Sequence, residues 1–497
     1  MALILWLLAC GGGKEASDTA TPTRPTSTPS GTTASGSTPT GTPPTTPTGT
    51  LPTEPTSAEV TSAMCAPQAD NALRLDCEVS TDPPGAVVLE LVPEGADPLR
   101  FDGTSGARIT AWGGVPGVSN TWRAWPAGAP EAAVEGEWLP TPADLVDFDT
   151  TITRAGTPAL DGVLTQIGCS TGERLAVIDI AGRVRWVEDP NRVRPDTVRV
   201  RGYEVTEDGT VLAVYDNDAI VEQTWGGDVL LDLRRGDAND RPLHHDVTRR
   251  RGYTIALDAR QEDFEGLGPV VWDGFTVYDG AGIEVAAWDS RGALDPRYGN
   301  PCCGDYWYAD FPGAHDFAHT NAIAADDDLN VYLSYRYIDT VQKVVGDPAA
   351  PDFGRVMWTL VGDPESAVPS DFRIVDPVAA DPRFGSPHHV RPLAGGVGVG
   401  VYDNGWLRGE PTRIVELALD GDTATVTTSV DLGLRCPIQG SAFPLSDGQY
   451  LTVCSGDGAI FTIDPVTAER TWELVLTCPD GFVPRDPYRA IPVQLPR

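Results

Sequence analysis

Residues 206–233 read TEDGTVLAVYDNDAIVEQTWGGDVLLDL. One apolar run follows a Gly-containing turn, a second follows a short polar turn, and a Trp-Gly-Gly turn leads into a third. The same order returns in PLAGGVGVGVYDNG at 392–405 and in PLSDGQYLTVCSGDGAIFTIDPVTAERTWEL at 444–474. Units of about forty to fifty residues, with four strands and no helix, predict a β-propeller. Aligned strand starts fall near Leu164, Tyr203, His245, His319, His389 and Ser441, so six units are expected, the third and fourth with larger insertions.

The predicted fold is therefore all-β, with a six-bladed β-propeller over residues 143–497. Ahead of it, LRLDCEVS, AVVLELVPEG, ARITAWGG and NTWRAWPAG are short, roughly alternating runs cut by Pro and Gly turns. They predict a small immunoglobulin-like β-sandwich over 63–142. Residues 11–62 are mostly Thr, Pro, Ser and Gly, too polar to repay their ordering entropy, and read as an extended tether. Residues 1–10, MALILWLLAC, form a short apolar run ending in Leu-Leu-Ala-Cys that resembles a bacterial lipobox, although it lacks a basic start. The expectation is an exported lipoprotein, periplasmic or cell-surface, held to the membrane only by lipid at Cys10.

A length of 497 residues calls for more than one core, and a net charge of −35 argues against nucleic acid as a partner. With Cys10 set aside, eight cysteines remain, an even number that suggests disulfides in an exported chain. Cys65 and Cys77, close together and isolated, are the expected pair. Cys169, Cys302, Cys303, Cys436, Cys454 and Cys478 are compatible with several pairings. No CxxC occurs, so neither a zinc site nor a thioredoxin-like motif is supported.

Six histidines occur, and they sit in three tight groups: His244 and His245, His315 and His319, His388 and His389. HHDV, HTNAI and HHVRPL each open a unit just before its first apolar strand. Innermost strands of a propeller line its axis, so equivalent positions in successive units should converge in space. A metal held by three histidines and Asp246 is one reading. Arg336, one hairpin after HTNAI, opposes it, because a fixed positive charge beside a dication is unfavourable and beside an anionic substrate is favourable. Adjacent residues on a strand face opposite ways, and register with His245, His319 and Ser441 selects His389 over His388 as the inward member of its pair.

Taken in order, HHDV, then HTNAIAADDDLNVYLSYRYID leading to GRVMWTLVG, then PHHVRPLAGGVGVGVYDNG with TRIVELALDGDTATV, resemble the bacterial aryl-sulfate sulfotransferase family. The resemblance covers about residues 63–497. It implies an exported six-bladed propeller with a preceding sandwich, which moves a sulfuryl group from a phenolic sulfate to a phenol. No nucleotide sulfate donor and no cofactor are implied, and the intermediate is a sulfated histidine. Counting back from Asp403-Asn404-Gly405, the resemblance puts the nucleophile at His389. It assigns His319 with Asn321 to the family's His-x-Asn motif, Arg336 to its arginine and His245 to the HHD histidine. Ser441 falls in register where the family commonly has a hydroxyl. The family's nucleophile usually reads Gln-His-Asp; here it is His388-His389-Val390, so an orienting Asp is absent and His388 replaces the Gln.

In that scheme Arg336 and Asn321 hold the sulfuryl oxygens, and His245 and His319 share the acid–base work. His315 is expected at the rim or in a structural role. The aromatics of CCGDYWYADF either cap the channel mouth against an aryl group or pack in the core. Two other functions fit the same features: a metal-dependent hydrolase, and a non-catalytic propeller lipoprotein that binds a glycan or protein partner.

Overall fold

A computed structural model describes residues 58–140, 145–169, 172–195, 197–236, 240–299, 306–307, 309–377, 382–405, 411–479 and 487–497. The expected signal segment with Cys10, most of the tether, and Cys302 with Cys303 lie outside the described residues.

The described chain is all-β, and its one α-helix is the four-residue turn Pro190–Val193. Two sheets come first. One holds Glu59–Pro67, Arg74–Asp82 and Arg108–Trp112; the other holds Leu99–Thr104, Ala86–Pro93, Asn120–Pro126 and Val134–Trp138. Leu75 and Val79 from one and Leu89 and Leu91 from the other share a buried core, which makes the pair a β-sandwich. Its first strand starts four residues earlier than the expected boundary at 63, and Cys65 faces Cys77 across the ladder in a disulfide. The strands expected from the sequence runs are all present.

Six sheets follow, antiparallel but for the short strands His315–Asp316 and Arg373–Val375, which pair in parallel. The second to fifth open on Val200–Val205, Leu243–Arg250, Thr320–Ala325 and His388–Pro392, and the sixth on Ser441–Pro444. The first sheet is built differently from expectation. Its edge place is taken by the C-terminal strand Ala490–Val493, paired beside Gly162–Cys169, so Leu164 lies on a second strand. Asp149–Arg154 in turn joins the far edge of the sixth sheet. Each edge strand touches the one before and the one after, and Ala490–Val493 touches both Ser441–Pro444 and Val200–Val205, so the six form a closed ring.

Six apolar clusters fill the spaces between neighbouring sheets. Each sheet is covered on both faces, which is why Val211–Tyr215 is buried at every position and its sequence is continuously apolar. Each fully buried large side chain there contributes about 1.5–3 kcal/mol. Cys169–Cys478 ties the first sheet to the chain beyond the sixth, and Cys436–Cys454 closes a shorter loop. Three disulfides are those of an exported protein. Among the described residues no helix is long and apolar enough to cross a membrane.

The ring strands are of two kinds. Those of the second to fifth sheets each carry a β-bulge near the start, between Val200 and Tyr203, Leu243 and Val247, Thr320 and Ala322, and His388 and Arg391. Ser441–Pro444 and Ala490–Val493 pair without a register shift.

Candidate active site

A bulge inserts residues that the ladder leaves unpaired, and so re-aims side chains. His245, His319 and His389 share a left-handed backbone, with φ of 51°, 53° and 43°. Non-glycine residues seldom adopt that conformation, and it carries local strain. The neighbouring strand must also pass close: a Cβ on Gly202 would lie 2.3 Å from the His245 carbonyl oxygen, so only glycine fits there.

The expected convergence is present for His245 and His319, whose rings meet edge to face at 4.8 Å. His388 lies on the adjoining ring strand, next to Pro387, whose carbonyl accepts from Asn321 at 2.9 Å; burial, with the Arg336 and His319 charges behind it, pushes the His388 imidazole down to about 3. Arg336 itself follows the strand Asn330–Tyr335, with its guanidinium 5.5 Å from the Tyr337 ring centroid. Tyr337 stacks on His319 at 4.6 Å, and Tyr306 stacks on His245 at 4.3 Å. Trp307 is fully buried and meets His244 edge-on at 4.8 Å. Of the two aromatic readings, Tyr306 takes the site and Trp307 the core.

The pair in SPHHV sits the other way round from expectation. The His389 ring packs on Phe443 at 4.4 Å, and its Nδ1 accepts the Ala442 backbone N–H at 3.1 Å. Ser441 belongs to that side too, its Oγ accepting the Ala490 N–H at 3.1 Å. Neither makes a contact with His245, His319 or Arg336 among the described residues. The alternation rule assumed an unbroken strand, and the bulge after His388 breaks it.

Hydrogen bonds fix the tautomers. Asn404 Nδ2 donates to the carbonyls of Cys436 at 2.6 Å and Gln439 at 2.9 Å, which leaves Asn404 Oδ1 as an acceptor for His388 Nδ1 at 2.6 Å. The Ser386 carbonyl, 3.2 Å away, can also only accept. His388 therefore carries its proton on Nδ1, and the Nε2 lone pair makes no hydrogen bond among the described residues. His389 is the reverse: an N–H can only donate, so the Nδ1 lone pair is occupied and the proton of the neutral ring sits on Nε2. Burial holds His389 neutral as well, well below the ordinary imidazole range.

His319 has an orienting carboxylate that sequence reasoning missed. Asp316 Oδ2 accepts from His319 Nδ1 at 2.7 Å, so His319 Nε2 is free to take or give a proton. The signal was present in HDFAH, where an Asp precedes the His by three residues. The short strand His315–Asp316 lies parallel to the third sheet beside Val270 and Val271, which delivers the carboxylate. Next to it Asp273 accepts the Thr320 N–H at 2.8 Å; burial and the Asp316 charge push its carboxyl well up. His315 itself is partly buried at 3.4 Å from the Pro296 carbonyl, away from the cluster. Burial also holds His245 far below the usual range, and its Nδ1 meets His244 Nδ1 at 2.9 Å.

Asn321 departs from the expected contact with sulfuryl oxygens. It is fully buried, donates to the Pro387 carbonyl at 2.9 Å and accepts from Ser334 Oγ at 2.6 Å, so it anchors the backbone that presents His388. Asp246, considered as a metal ligand, is committed to Arg489 at 2.6 Å and to the Ile323 N–H at 3.0 Å. Among the described residues no group of three His, Cys, Asp or Glu side chains is placed to hold a metal ion.

Tyr488 and Arg489, just before the C-terminal strand, bind the ring together. The Tyr488 hydroxyl donates to the Asn321 carbonyl, Arg489 Nη1 donates to the Tyr203 carbonyl, and the Arg489 carbonyl accepts from Thr165 and Tyr203. The first, second and fourth sheets are thus tied through one short segment.

A site in which burial keeps His245 and His388 neutral, beside a guanidinium that makes no ion pair among the described residues, suits transfer of an anionic group. The model of the arylsulfotransferase (ASST) family matches residues 163–457, which contain every member of the cluster. The chain belongs to the arylsulfotransferase family. Membership supports aryl sulfotransferase activity, with small aryl sulfates and phenols as substrates. No curated protein matches the sequence. Solved structures similar to this chain include a Bacteroides caccae protein of unknown function, with 12% identity and a TM-score of 0.39 over 67% of this chain and 99% of the other. The periplasmic gluconolactonase of Pseudomonas aeruginosa is similar at 12% identity and a TM-score of 0.37, over 67% of this chain and all of that one (100%).

Proposed function

We propose that the chain transfers a sulfuryl group from an aryl sulfate to a phenol by a ping-pong reaction, with His388 as the nucleophile. The observation that carries the choice of His388 is the pair of opposed tautomers: its Nε2 lone pair is free, and the His389 Nδ1 lone pair is not. In the first half-reaction Nε2 bonds to sulfur, and the bond from sulfur to the aryl oxygen breaks. The phenolate leaves with the electron pair and takes the Nε2 proton of His319, which enters this half-reaction in its charged form with Nδ1–H donated to Asp316. In the second half, an incoming phenol gives its proton to His319, its oxygen bonds to sulfur, and the sulfur–nitrogen bond breaks. Splitting the exchange in this way suits a loose, in-line transition state. Asp316 holds His319 in the required tautomer and steadies its charged form. Arg336 faces the sulfuryl oxygens, where a fixed donor is typically worth about 3–4 kcal/mol. His245 is the second acid–base residue, and Asn321 and Asn404 position His388.

The closed ring of six sheets supports a six-bladed propeller over 143–497, and the two-sheet core ahead of it supports an immunoglobulin-like domain that opens at Glu59. The disulfides support export. Lipidation at Cys10 and a tether from 11 to the strand that opens at Glu59 complete the proposal, with the catalytic part held off the membrane.

Turnover of 4-nitrophenyl sulfate, with and without added phenol, tests the function. Without acceptor, the reading predicts a burst of one nitrophenolate per chain; with phenol, steady release and parallel double-reciprocal lines. Intersecting lines, or release that ignores phenol, would contradict it.

A further inference from the structure

The second sheet opens on a bulge like those that carry the histidines, and the residues in it are Arg201 and Gly202. Arg201 was not singled out by its sequence, because TVRVRGYEV has no histidine. Its guanidinium lies 5.3 Å from the centroid of the Tyr306 ring, the ring that stacks on His245. Its charge is one of those that keep His244 and His245 neutral.

Among the described residues, Arg74, Arg185, Arg194, Arg201, Arg249, Arg260 and Arg336 each have a buried side-chain nitrogen without a hydrogen-bond partner. Five of them, Arg74, Arg185, Arg194, Arg249 and Arg260, still pair with a carboxylate. The remaining two, Arg201 and Arg336, make no ion pair, and both stand at the histidine cluster. A chain with 71 acidic and 36 basic side chains has carboxylates to offer. Two partly buried guanidiniums that make no ion pair at one place suit anions; Glu173, the carboxylate on which the Arg201 charge acts, is pushed up to about 7 by burial and accepts the Val200 N–H at 2.7 Å.

The two cations act on different parts of the site. Arg336 lies by Tyr337 and its charge acts on His388, whereas Arg201 lies by Tyr306, the ring stacked on His245, and His319 touches both Tyr337 and Tyr306. A sulfuryl group in transfer to His388 gives acceptors to Arg336 and leaves the Arg201 fork without one. We propose that Arg201, with the Tyr306 ring, forms a second anion subsite that takes a carboxylate or sulfate carried on the aromatic ring of the substrate. The site then selects aryl sulfates and phenols that bear an additional negative group. This inference rests on sulfuryl transfer at His388 as proposed above.

Three donors with the full chain test it: 4-sulfooxybenzoate, hydroquinone bis-sulfate and the uncharged-ring match 4-acetylphenyl sulfate. The two anionic donors separate carboxylate from sulfate recognition. The expected result is a KM at least about tenfold lower for one or both than for 4-acetylphenyl sulfate, the scale of one charge-assisted hydrogen bond. Arg201→Gln should collapse that ratio to within about twofold, and Arg201→Lys should restore part of it. An unchanged ratio in Arg201→Gln, or no preference in the wild type, overturns the subsite. A loss that grows with leaving-group pKa across uncharged donors, indifferent to ring charge, overturns it too, because Arg201 would then serve the leaving phenolate. If no aryl sulfate is turned over, the transfer reading fails on its own. Calorimetric titration of 4-hydroxybenzoate against 4-hydroxyacetophenone into wild type and Arg201→Gln then decides the subsite. Tighter binding of the benzoate that the variant loses supports it, and equal binding contradicts it.

Discussion

Four ring strands are bulged and two are straight, and the two kinds do different work. The bulged starts at Val200–Val205, Leu243–Arg250, Thr320–Ala325 and His388–Pro392 carry the side chains of the site. The straight starts at Ser441–Pro444 and Ala490–Val493 meet where the C-terminal strand closes the ring. Ser441 accepts the Ala490 N–H within the straight side, and the Tyr488 hydroxyl donates across to the Asn321 carbonyl of a bulged strand. One repeating unit thus gives either a re-aimed side chain or a closed seam, according to whether its first ladder is broken. His389 marks the border. It has the bulge's left-handed backbone, yet its ring joins the straight side against Phe443.

Substitutions on the bulged side should therefore remove chemistry, and those on the straight side should remove stability. The largest effect is expected at His388→Ala, a fall in turnover of at least about a thousandfold, measured with 4-nitrophenyl sulfate and phenol. Asp316→Asn should follow, at about a hundredfold or more, since an amide can hold His319 in the wrong tautomer. Protein of wild-type melting temperature with unimpaired turnover would detach Asp316 from the reaction. Arg336→Lys keeps the charge but loses the planar fork, and about tenfold is expected, roughly 1.4 kcal/mol of transition-state stabilisation. On the straight side, Tyr488→Phe leaves the Asn321 carbonyl unpaired in the interior. Denaturant unfolding should report a loss of about 1–3 kcal/mol, with a much smaller change in rate.

The smallest effect is an absence. His388 is lowered from its ordinary value to about 3, chiefly by burial, so its neutral form persists as pH falls. The single-turnover burst with 4-nitrophenyl sulfate, whose leaving group needs no proton, should keep its rate from pH 7 to about pH 5. A rate that halves near pH 6.5 would indicate a nucleophile in an unperturbed, solvated setting.

The ring and the convergence of the histidine groups were legible because each unit repeats the same strand and turn order, and covered sheets leave long apolar runs such as VLAVY. Three features were not. The choice within SPHHV depended on strict alternation, and one bulge is enough to invert it. The edge place of the first sheet is filled from the C-terminus, so counting strands forward from Leu164 could not find it. Asp316 and Arg201 reach the cluster through a short parallel strand and a bulge, neither of which has a periodic signal. Cys65 with Cys77 could be paired from spacing alone, and Cys169 with Cys478 could not, since only ring closure brings them together.

The most direct test is to find the sulfuryl group. The full chain is incubated with 4-nitrophenyl sulfate and no acceptor, kept at alkaline pH to protect the nitrogen–sulfur bond, digested, and the peptide spanning 383–393 is fragmented. The account predicts one sulfuryl group per chain on His388, absent in His388→Ala and retained in His389→Ala. A sulfuryl group on His389, or one that survives in His388→Ala, would contradict it.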